Sequence, residues 1–193
     1  GMRQGAAFGR PPELEDTLWS CLTDSFTGLP MGITAENLAE RYKVTRQDCD
    51  EYALRSHQTW QAAHARGAFD AELCSVEVQQ RRKSFTVTQD EHPRESTLED
   101  LAKLRPSFSK EGVVTAGNAS GICDGASALV LATRGYAEAQ GWAPLGRLIS
   151  YGVSGCDPTL MGIGPVPAAK IALERANKTI ADLDLIEVNE AFA

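Results

Sequence analysis

Two segments in the second half of the chain combine small residues with backbone groups that a ligand could use. The first is VTAGNASG (114–121), whose small side chains let the backbone approach a ligand and pair with its amides. The second is MGIGPVP (161–167), a glycine loop that runs into a predicted helix. Each pattern alone also fits an ordinary tight turn before a strand or helix.

A third segment, VNEAFA (188–193), follows a predicted strand. Open α/β sheets bind their ligands at the carboxyl ends of strands, and Asn189 there could orient a water or donate to an oxyanion. A lone asparagine at a strand end is also a common turn former. The 161–167 loop is not a phosphate loop of the Walker type, because no Gly-Lys-Ser/Thr follows it, and Pro167 occupies the place of the third glycine in a dinucleotide-binding loop.

The cysteines and histidines show no metal or dithiol spacing. No Cys-x-x-Cys pair occurs, which excludes a zinc ribbon or a thioredoxin-like motif, and an odd count favours a reducing compartment. His57 and His64 lie two helical turns apart, which suits solvated or hydrogen-bonded side chains better than a metal pair. His92 is near Arg94 in the sequence. The five cysteines are Cys21, Cys49, Cys74, Cys123 and Cys156.

Composition narrows the class of protein. The 193 residues carry a net charge of −7, which argues against nucleic acid or an anionic membrane as the main partner. A local arginine or a helix N-terminus could still hold an anionic ligand. Neither a membrane-spanning apolar run nor a signal-peptide core occurs, so we expect a soluble intracellular protein.

The elements that position these residues change character along the chain. In the first part, Thr34 is predicted to cap a helix at 35–43, and Thr45 with Asp48 forms a capping box for a longer helix that ends at Gly67. Alternating apolar residues on either side of a basic turn (81–83) predict a two-stranded ribbon. STLE (96–99) predicts a short helix that ends before Pro106.

The second part alternates predicted strands and helices. Apolar runs predict strands at 126–132, 148–153 and 183–188, and helices are predicted at 136–140 and 165–177. This order is typical of a parallel sheet covered on both faces. A central strand needs neighbours and covering helices, so we expect these residues to be one piece of a larger domain.

The motifs are more informative as an ordered set than one by one. TAGNASGICDGA, MGIGPVPA and EVNEAFA follow MGITAEN (31–37) and KLRPSF (103–108), and this set resembles the thiolase family from about residue 13 to residue 193. The chain is most similar to degradative 3-ketoacyl-CoA thiolases (acetyl-CoA acyltransferases), because Pro30 precedes Met31 where biosynthetic thiolases usually carry histidine.

The resemblance implies an α/β, thiolase-like layered fold, present in part, with an inserted loop domain that binds coenzyme A (CoA). It also implies four segments. Residues 1–24 would end a first half-domain segment, 25–113 would form the loop domain, 114–145 would supply the last strand and helix of the first half, and 146–193 would begin an incomplete second half.

The resemblance also assigns roles to individual residues. Arg94 matches the arginine that packs on the adenine of CoA, and Asn189 matches the asparagine that holds an oxyanion-hole water. Met31 and Met161 match residues around the acyl group and thioester. The remaining matches line the pantetheine tunnel or the adjoining cavity: Phe108, Ala116, Gly117, Ser120, Ala191 and Phe192.

The implied activity is the thiolytic cleavage of 3-ketoacyl-CoA by CoA, as in fatty-acid β-oxidation, with CoA as a substrate and no permanently bound cofactor. The family places its nucleophilic cysteine upstream of Gly1, and its activating histidine and second cysteine downstream of Ala193. We therefore expect the 193 residues alone to be inactive.

Two alternatives remain open. One is a non-catalytic CoA- or acyl-CoA-binding module or interaction protein. The other, a condensing enzyme that uses a carrier protein, is disfavoured because such relatives usually carry histidine at the position of Asn189. The resemblance further implies a homo-oligomer, dimeric or tetrameric, in a bacterial cytoplasm, the mitochondrial matrix or the peroxisome.

Overall fold

Helices dominate the first half of the chain in the computed structural model, which describes residues 14–81 and 83–193. Helix α1 (Thr17–Cys21) begins after Asp16, whose carboxylate accepts hydrogen bonds from the first turn. Helix α2 spans Met31–Tyr42, and helix α3 spans Arg46–Ala65. Residues 1–13 of the predicted first segment, and Arg82 of the predicted basic turn, lie outside the described residues.

The start of α2 differs from the sequence prediction, and the start of α3 agrees with it. Helix α2 begins after Pro30, so Thr34 lies buried inside the helix, and its hydroxyl donates to the carbonyl of Met31 at 2.8 Å. A hydroxyl that bonds back to its own helix does not serve as a cap, so the prediction that Thr34 caps is wrong. At α3, Thr45 and Asp48 form the predicted capping box.

The predicted ribbon is confirmed. Strands β1 (Val76–Gln80) and β2 (Lys83–Val87) pair antiparallel, with Val78 opposite Phe85. Helix α4 (Leu98–Ala102) follows and packs against α3. Its cap is Thr97, one residue after the predicted start of the box, and Thr97 accepts from the N–H of Asp100.

Both helices predicted in the second half are present. Helix α5 spans Arg134–Ala139 and helix α6 spans Pro165–Ala176. Short 3-10 helices lie at Pro158–Ile163 and Ile180–Asp182. The first of these packs against α2, where the Asn37 amide donates to the carbonyl of Thr159 at 3.0 Å, so the two halves of the chain meet there.

The three predicted strands are wrong as strands. Residues 126–132, 148–153 and 183–188 form no ladder, because the hairpin is the one sheet within residues 14–81 and 83–193. A strand exists only beside a hydrogen-bonded neighbour, and apolarity alone does not supply one. The first run is not buried either, since Leu129, Val130 and Leu131 are 83%, 84% and 85% exposed.

The middle run (148–153) packs against a helix instead of a strand. Residues 148–153 lie along α6, where the Ser150 hydroxyl donates to the carbonyl of Ala172 at 2.7 Å and Arg175 donates to the carbonyl of Tyr151 at 2.8 Å. A Cβ on Gly152 would lie 2.0 Å from the carbonyl oxygen of Ala168, so this segment passes directly over the helix backbone.

The core lies between α2, α3, α4 and the segment at 113–118. Apart from Leu101, its buried members are small or polar, which allows helices and loop to approach closely. Among residues 14–81 and 83–193, no helix combines the length and apolarity that a bilayer crossing requires. The buried side chains in this region include Thr34, Ala39, Cys49, Asp50, Ala53, Leu101, Val114, Thr115 and Asn118.

Candidate functional site

The segment 113–118 is held by hydrogen bonds to α2 and by a buried hydrogen bond within itself. From α2, the carboxylate of Glu36 accepts from the N–H groups of Val113 and Val114, at 2.8 Å and 3.1 Å. Within the segment, the amide oxygen of Asn118 accepts from the N–H of Thr115 at 2.7 Å. Thr115 is fully buried, so these bonds fix the backbone that enters the first sequence motif.

The third motif docks directly on the first. The N–H of Ser120 donates to the carbonyl of Ala191, and the N–H of Ala193 donates to the carbonyl of Asn118, both at 2.9 Å. These two bonds frame a β-bridge between Ala119 and Phe192. Ser120, which the resemblance assigned to the pantetheine tunnel, therefore lies beside Ala191 and Phe192, which it assigned to the adjoining cavity.

Phe108 joins this group through its ring. The ring meets that of Phe192 edge-on, with centroids 6.3 Å apart and planes at 86°. A bridge between Pro106 and Thr115 places the KLRPSF segment beside the first motif. On the other side the ring contacts α2, since a Cβ on Gly32 would lie 2.3 Å from a ring carbon of Phe108.

Gly117 occupies a similarly tight place. A Cβ there would lie 2.5 Å from a methyl of Leu104 and 2.7 Å from a methyl of Leu101, on and just after α4. Its neighbour Ala116 is exposed, so the loop presents backbone and one methyl group on its outer side. The loop can therefore pass close to a ligand while its inner side packs on α4.

The two methionines belong to elements that pack together. Met31 opens α2, and its N–H donates to the carbonyl of Leu22 at 2.9 Å. Met161 lies on the 3-10 helix that packs against α2, and Met161 itself is 37% exposed. A Cβ on Gly162 would lie 2.6 Å from a methyl of Leu38, which shows how close the two elements are.

A cavity of about 210 Å³ opens between α3 and the joined first and third motifs. At its rim the Tyr52 hydroxyl donates to the carboxylate of Glu190, and this hydrogen bond raises the pKa of Tyr52. Asn189 precedes Glu190 and is exposed. The cavity is lined by Tyr52, His57, Trp60, His92, Asn118, Ser120 and Glu190, among others.

A larger cavity of about 760 Å³ adjoins the first, and the two share Trp60, His92 and Pro93. Arg94 lines the larger cavity together with the acidic side chains of Asp90, Glu91 and Asp124. Arg94 is exposed, so its guanidinium plane is free to meet a ligand from solvent. The position of His92 near Arg94 agrees with the sequence.

His57 also faces this region, which the sequence reasoning missed. Its ring centroid is 6.2 Å from that of His92. Burial lowers the pKa of His57, and electrostatic repulsion from the neighbouring His92 and Arg94 side chains lowers it further. His64 is one turn from Trp60 and stacks on its ring at 4.9 Å. Tyr52, Ser56 and Trp60 recur every four residues on one face of α3, and that face lines the cavity.

The thiols differ in exposure and reactivity. Cys49 is buried on α3, and burial followed by the negative charges of Asp50, Asp48 and Glu36 raises the pKa of its thiol. A raised pKa keeps the thiol protonated, which is the opposite of what a nucleophile needs. The other four cysteines are exposed. Across the described part of the chain, no three His, Cys, Asp or Glu side chains converge as a metal site would require.

Comparison with known proteins matches the whole chain to one family. Residues 1–135 match the N-terminal domain of thiolases, and residues 142–193 match the C-terminal domain. The mitochondrial 3-ketoacyl-CoA thiolases of Bos taurus and Homo sapiens are 52% and 50% identical over 193 residues, which is 100% of this chain and 49% of each relative. An acetyl-CoA acetyltransferase of Rhizobium meliloti is 46% identical over the same length. The chain thus spans about half the length of these curated relatives.

Solved structures give the same answer for the fold. The crystal structure of human mitochondrial 3-ketoacyl-CoA thiolase is 49% identical, with a TM-score of 0.86 over 100% of this chain and 49% of its own. The same human protein in complex with CoA gives a TM-score of 0.84 at 50% identity, over 100% of this chain and 48% of its own. The expected α/β, thiolase-like fold is confirmed. The chain belongs to the thiolase family.

Proposed function

We propose that the protein cleaves 3-ketoacyl-CoA with CoA to give acetyl-CoA and a shortened acyl-CoA, the reaction of β-oxidation thiolases. The observation that carries the proposal is the docking of the third motif on the first through Ser120–Ala191 and Asn118–Ala193. That contact brings the segment that carries Asn189, to which the family gives an oxyanion role, onto the segment to which it gives CoA contacts. Identity of 50–52% to mitochondrial 3-ketoacyl-CoA thiolases supports the substrate class.

In this proposal CoA is a substrate that binds along the two adjoining cavities. The adenine packs on Arg94 in the larger cavity, because a planar guanidinium stacks well on an aromatic base. The pantetheine passes Phe108 and the backbone of Ala116, Gly117 and Ser120. The outer face of this loop is exposed and its residues are small, so the ligand can reach the loop backbone.

The thioester end of the ligand lies near Met31, Met161, Ala191 and Phe192 in the same proposal. Asn189 holds the water that donates to the developing oxyanion, a contribution that is typically among the largest in acyl transfer. The division of the chain into a loop domain at 25–113 and flanking half-domain segments belongs to this proposal too.

The nucleophile is a separate matter. A thiolase forms an acyl-cysteine that a second CoA thiol resolves, and on the family resemblance none of the five cysteines is assigned as that nucleophile. The thiol of Cys49 is moreover held protonated. We therefore expect the 193 residues alone to bind CoA without cleaving 3-ketoacyl-CoA.

The names of the relatives support a proposal for the compartment, and the family resemblance supports one for the assembly. We propose the mitochondrial matrix or a bacterial cytoplasm, because the relatives include proteins named mitochondrial and proteins from bacteria. A dimer or tetramer of identical chains is proposed on the family resemblance. Sedimentation of the protein at several concentrations tests the assembly.

The test of CoA binding is calorimetry on the wild type, Arg94→Ala and Arg94→Lys. Loss of a stacked guanidinium removes about 0.5–2 kcal/mol, so Arg94→Ala should weaken CoA binding by roughly two- to thirtyfold. Arg94→Lys keeps the charge without the plane and should be intermediate. The control Arg134→Ala removes the same charge on α5, where the side chain lines neither cavity, and should bind as the wild type does.

The test of the reaction is thiolysis of acetoacetyl-CoA and of longer 3-ketoacyl-CoA. Turnover by the 193-residue chain that survives replacement of all five cysteines would contradict the acyl-cysteine mechanism. CoA binding without thiolysis, measured on the protein together with any flanking segments, would instead favour the non-catalytic binding module.

A further inference from the structure

A chain of three polar side chains links α3 to the first motif. Arg46 and Asp50 form an ion pair on α3, with Nε and Oδ2 2.8 Å apart. The other carboxylate oxygen of Asp50 accepts from the amide of Asn118 at 2.9 Å. Asp50 and Asn118 are each only 4% exposed, so this contact spans 68 residues of sequence within the interior of the protein.

The amide of Asn118 has no spare donor. Its Nδ2 donates to Asp50 and also to the carbonyl of Val113 at 2.9 Å, and its Oδ1 accepts from the N–H of Thr115 at 2.7 Å. The backbone carbonyl of Asn118 accepts from the N–H of Ala193. Asn118 therefore fixes the turn of the first motif through its side chain and binds the third motif through its backbone carbonyl.

The other end of the network reaches α4. Arg46 Nη2 donates to the carbonyls of Leu101 and Leu104, at 2.6 Å and 3.1 Å. The side chains of the same two leucines contact Gly117. The loop is thus held once through Asn118 and once through α4, and both paths pass through the ion pair. At the buried pair Asp50 and Asn118, every polar side-chain atom has a hydrogen-bond partner, so a shift of either residue would leave a buried polar group unpaired.

We propose that Asp50 and Asn118 are positioning residues, which hold the backbone at 115–120 and the 191–193 segment in the geometry that binds CoA. This inference rests on the proposed function. Neither side chain needs to touch the ligand. Asparagine is required at 118 because the position needs an acceptor for Thr115 and a donor for Asp50, and a carboxylate or an apolar side chain cannot supply both.

The test is a charge swap, measured by calorimetry with CoA on the protein together with any segments that flank these 193 residues. Asn118→Asp places two carboxylates in contact and should weaken CoA binding by about tenfold or more. The double variant Asp50→Asn/Asn118→Asp restores a donor facing an acceptor and should bind CoA severalfold more tightly than Asn118→Asp alone. Glu51→Gln makes the same charge change as Asp50→Asn on an exposed neighbouring position and should bind as the wild type does.

Hydrogen exchange at the backbone amide of Thr115 measures how firmly the loop is held, and it needs no ligand. It should speed up in Asn118→Asp and slow again in the double variant, while thermal melting stays cooperative. If Asn118→Asp does not fold, Asp50→Ala takes its place, since it keeps the bonds of Asn118 to Thr115 and Val113, and it should show faster exchange and weaker CoA binding.

The outcomes separate the two proposals. Wild-type affinity for CoA in Asn118→Asp, or a double variant no better than the single one, overturns the positioning role. If the wild type itself binds no CoA, the proposed function fails. The exchange at Thr115 then decides alone whether the network holds the loop, and unchanged exchange in Asn118→Asp would refute it.

Discussion

The contact between Gly32 and the Phe108 ring leaves no room for a side chain, because a Cβ would lie 2.3 Å from a ring carbon. Gly32→Ala must push the ring away from α2 and change its contact with Phe192. Overpacking of this kind typically lowers the free energy of unfolding by about 1–3 kcal/mol. Urea unfolding measures the loss, and CoA titration should show weaker binding.

The control for this substitution lies on α5. A Cβ on Gly135 would have no heavy atom within 4 Å, so Gly135→Ala should leave stability unchanged or raise it by up to about 1 kcal/mol. Equal losses in the two variants would show that the ring contact at Gly32 has no special role.

The hydrogen bond from Tyr52 to Glu190 predicts a pH dependence at the cavity rim. The bond and the negative charge of Glu190 raise the pKa of Tyr52 above its ordinary 10.0, and the Arg55 guanidinium, 4.6 Å from the ring centroid, acts against them. The folded state favours the protonated phenol. Its stabilising effect is therefore complete below pH 10 and is lost as the pH rises through the raised pKa.

Absorbance of the tyrosinate as a function of pH checks this prediction. Glu190→Gln should lower the pKa of Tyr52, and Tyr52→Phe should remove one late-ionising tyrosine from the titration curve. A curve unchanged by Glu190→Gln would mean that the two side chains do not pair in solution.

The family resemblance grouped several residues that lie together in the structure, and sequence reasoning missed those that line the far side of the smaller cavity. Phe108, Ser120 and Phe192 come from motifs that the resemblance had already joined. Tyr52 and His57 come from α3, to which the sequence assigned no site role, and His57 was expected to be solvated or hydrogen-bonded. Periodicity identifies a buried face but not what the face is buried against, so lining residues and core residues look alike in sequence.

Capping sets the start of the helix that carries Asp50, Tyr52 and Trp60. Thr45→Ala removes the acceptor for the N–H of Asp48 and should lower the free energy of unfolding by about 0.5–2 kcal/mol. Thr179→Ala, before the three-residue helix Ile180–Asp182, removes only a hydroxyl that donates to the Asp182 carboxylate at 2.9 Å and should have the smaller effect. Urea unfolding of both variants provides the comparison, and a larger loss at Thr179 would contradict it.

The stabilisation by the Thr45–Asp48 capping box should be lost in acid. Hydrogen bonds from the side chain and then the backbone N–H of Thr45 lower the pKa of Asp48 below 3.8. The folded state favours the carboxylate, so this stabilisation is complete above the ordinary pKa and is lost as the pH falls through the lowered one. The Thr45→Ala difference should therefore shrink in strongly acidic buffer.

Elements that form from local interactions were predictable, and elements that need distant partners were not. The capping box of α3, the hairpin and α6 each depend on residues close in sequence, and all three are present. The runs at 126–132 and 183–188 have strand-like composition, but pairing is a property of two segments. The sequence of one segment cannot show whether its neighbour is present.

Apolar exposure dominates the behaviour expected of the 193 residues as a whole. Leu129, Val130 and Leu131 form a continuous run that is more than four-fifths exposed. Exposed runs of this kind promote association, so we expect the chain alone to bind a hydrophobic dye and to self-associate as its concentration rises. Dye fluorescence and light scattering measure the two effects.

Matched lysine variants test whether this run causes the dye binding and the self-association. Leu129→Lys with Leu131→Lys should reduce both signals, whereas Phe26→Lys, at an 89% exposed position outside this run, should change them little. Scattering that persists in the double variant would place the association on another surface.

The bridge between Ala119 and Phe192 also determines when the site can exist during synthesis. Helices α3 and α4 and the hairpin depend on local contacts, so they can form while the chain is still emerging from the ribosome. The partner of Ala119 in the bridge is Phe192, more than seventy residues later in the sequence. Phe192 must leave the exit tunnel before the bridge can form. On the ribosome, affinity for CoA should therefore appear in one late step, after residues 191–193 have emerged, rather than rise gradually with chain length.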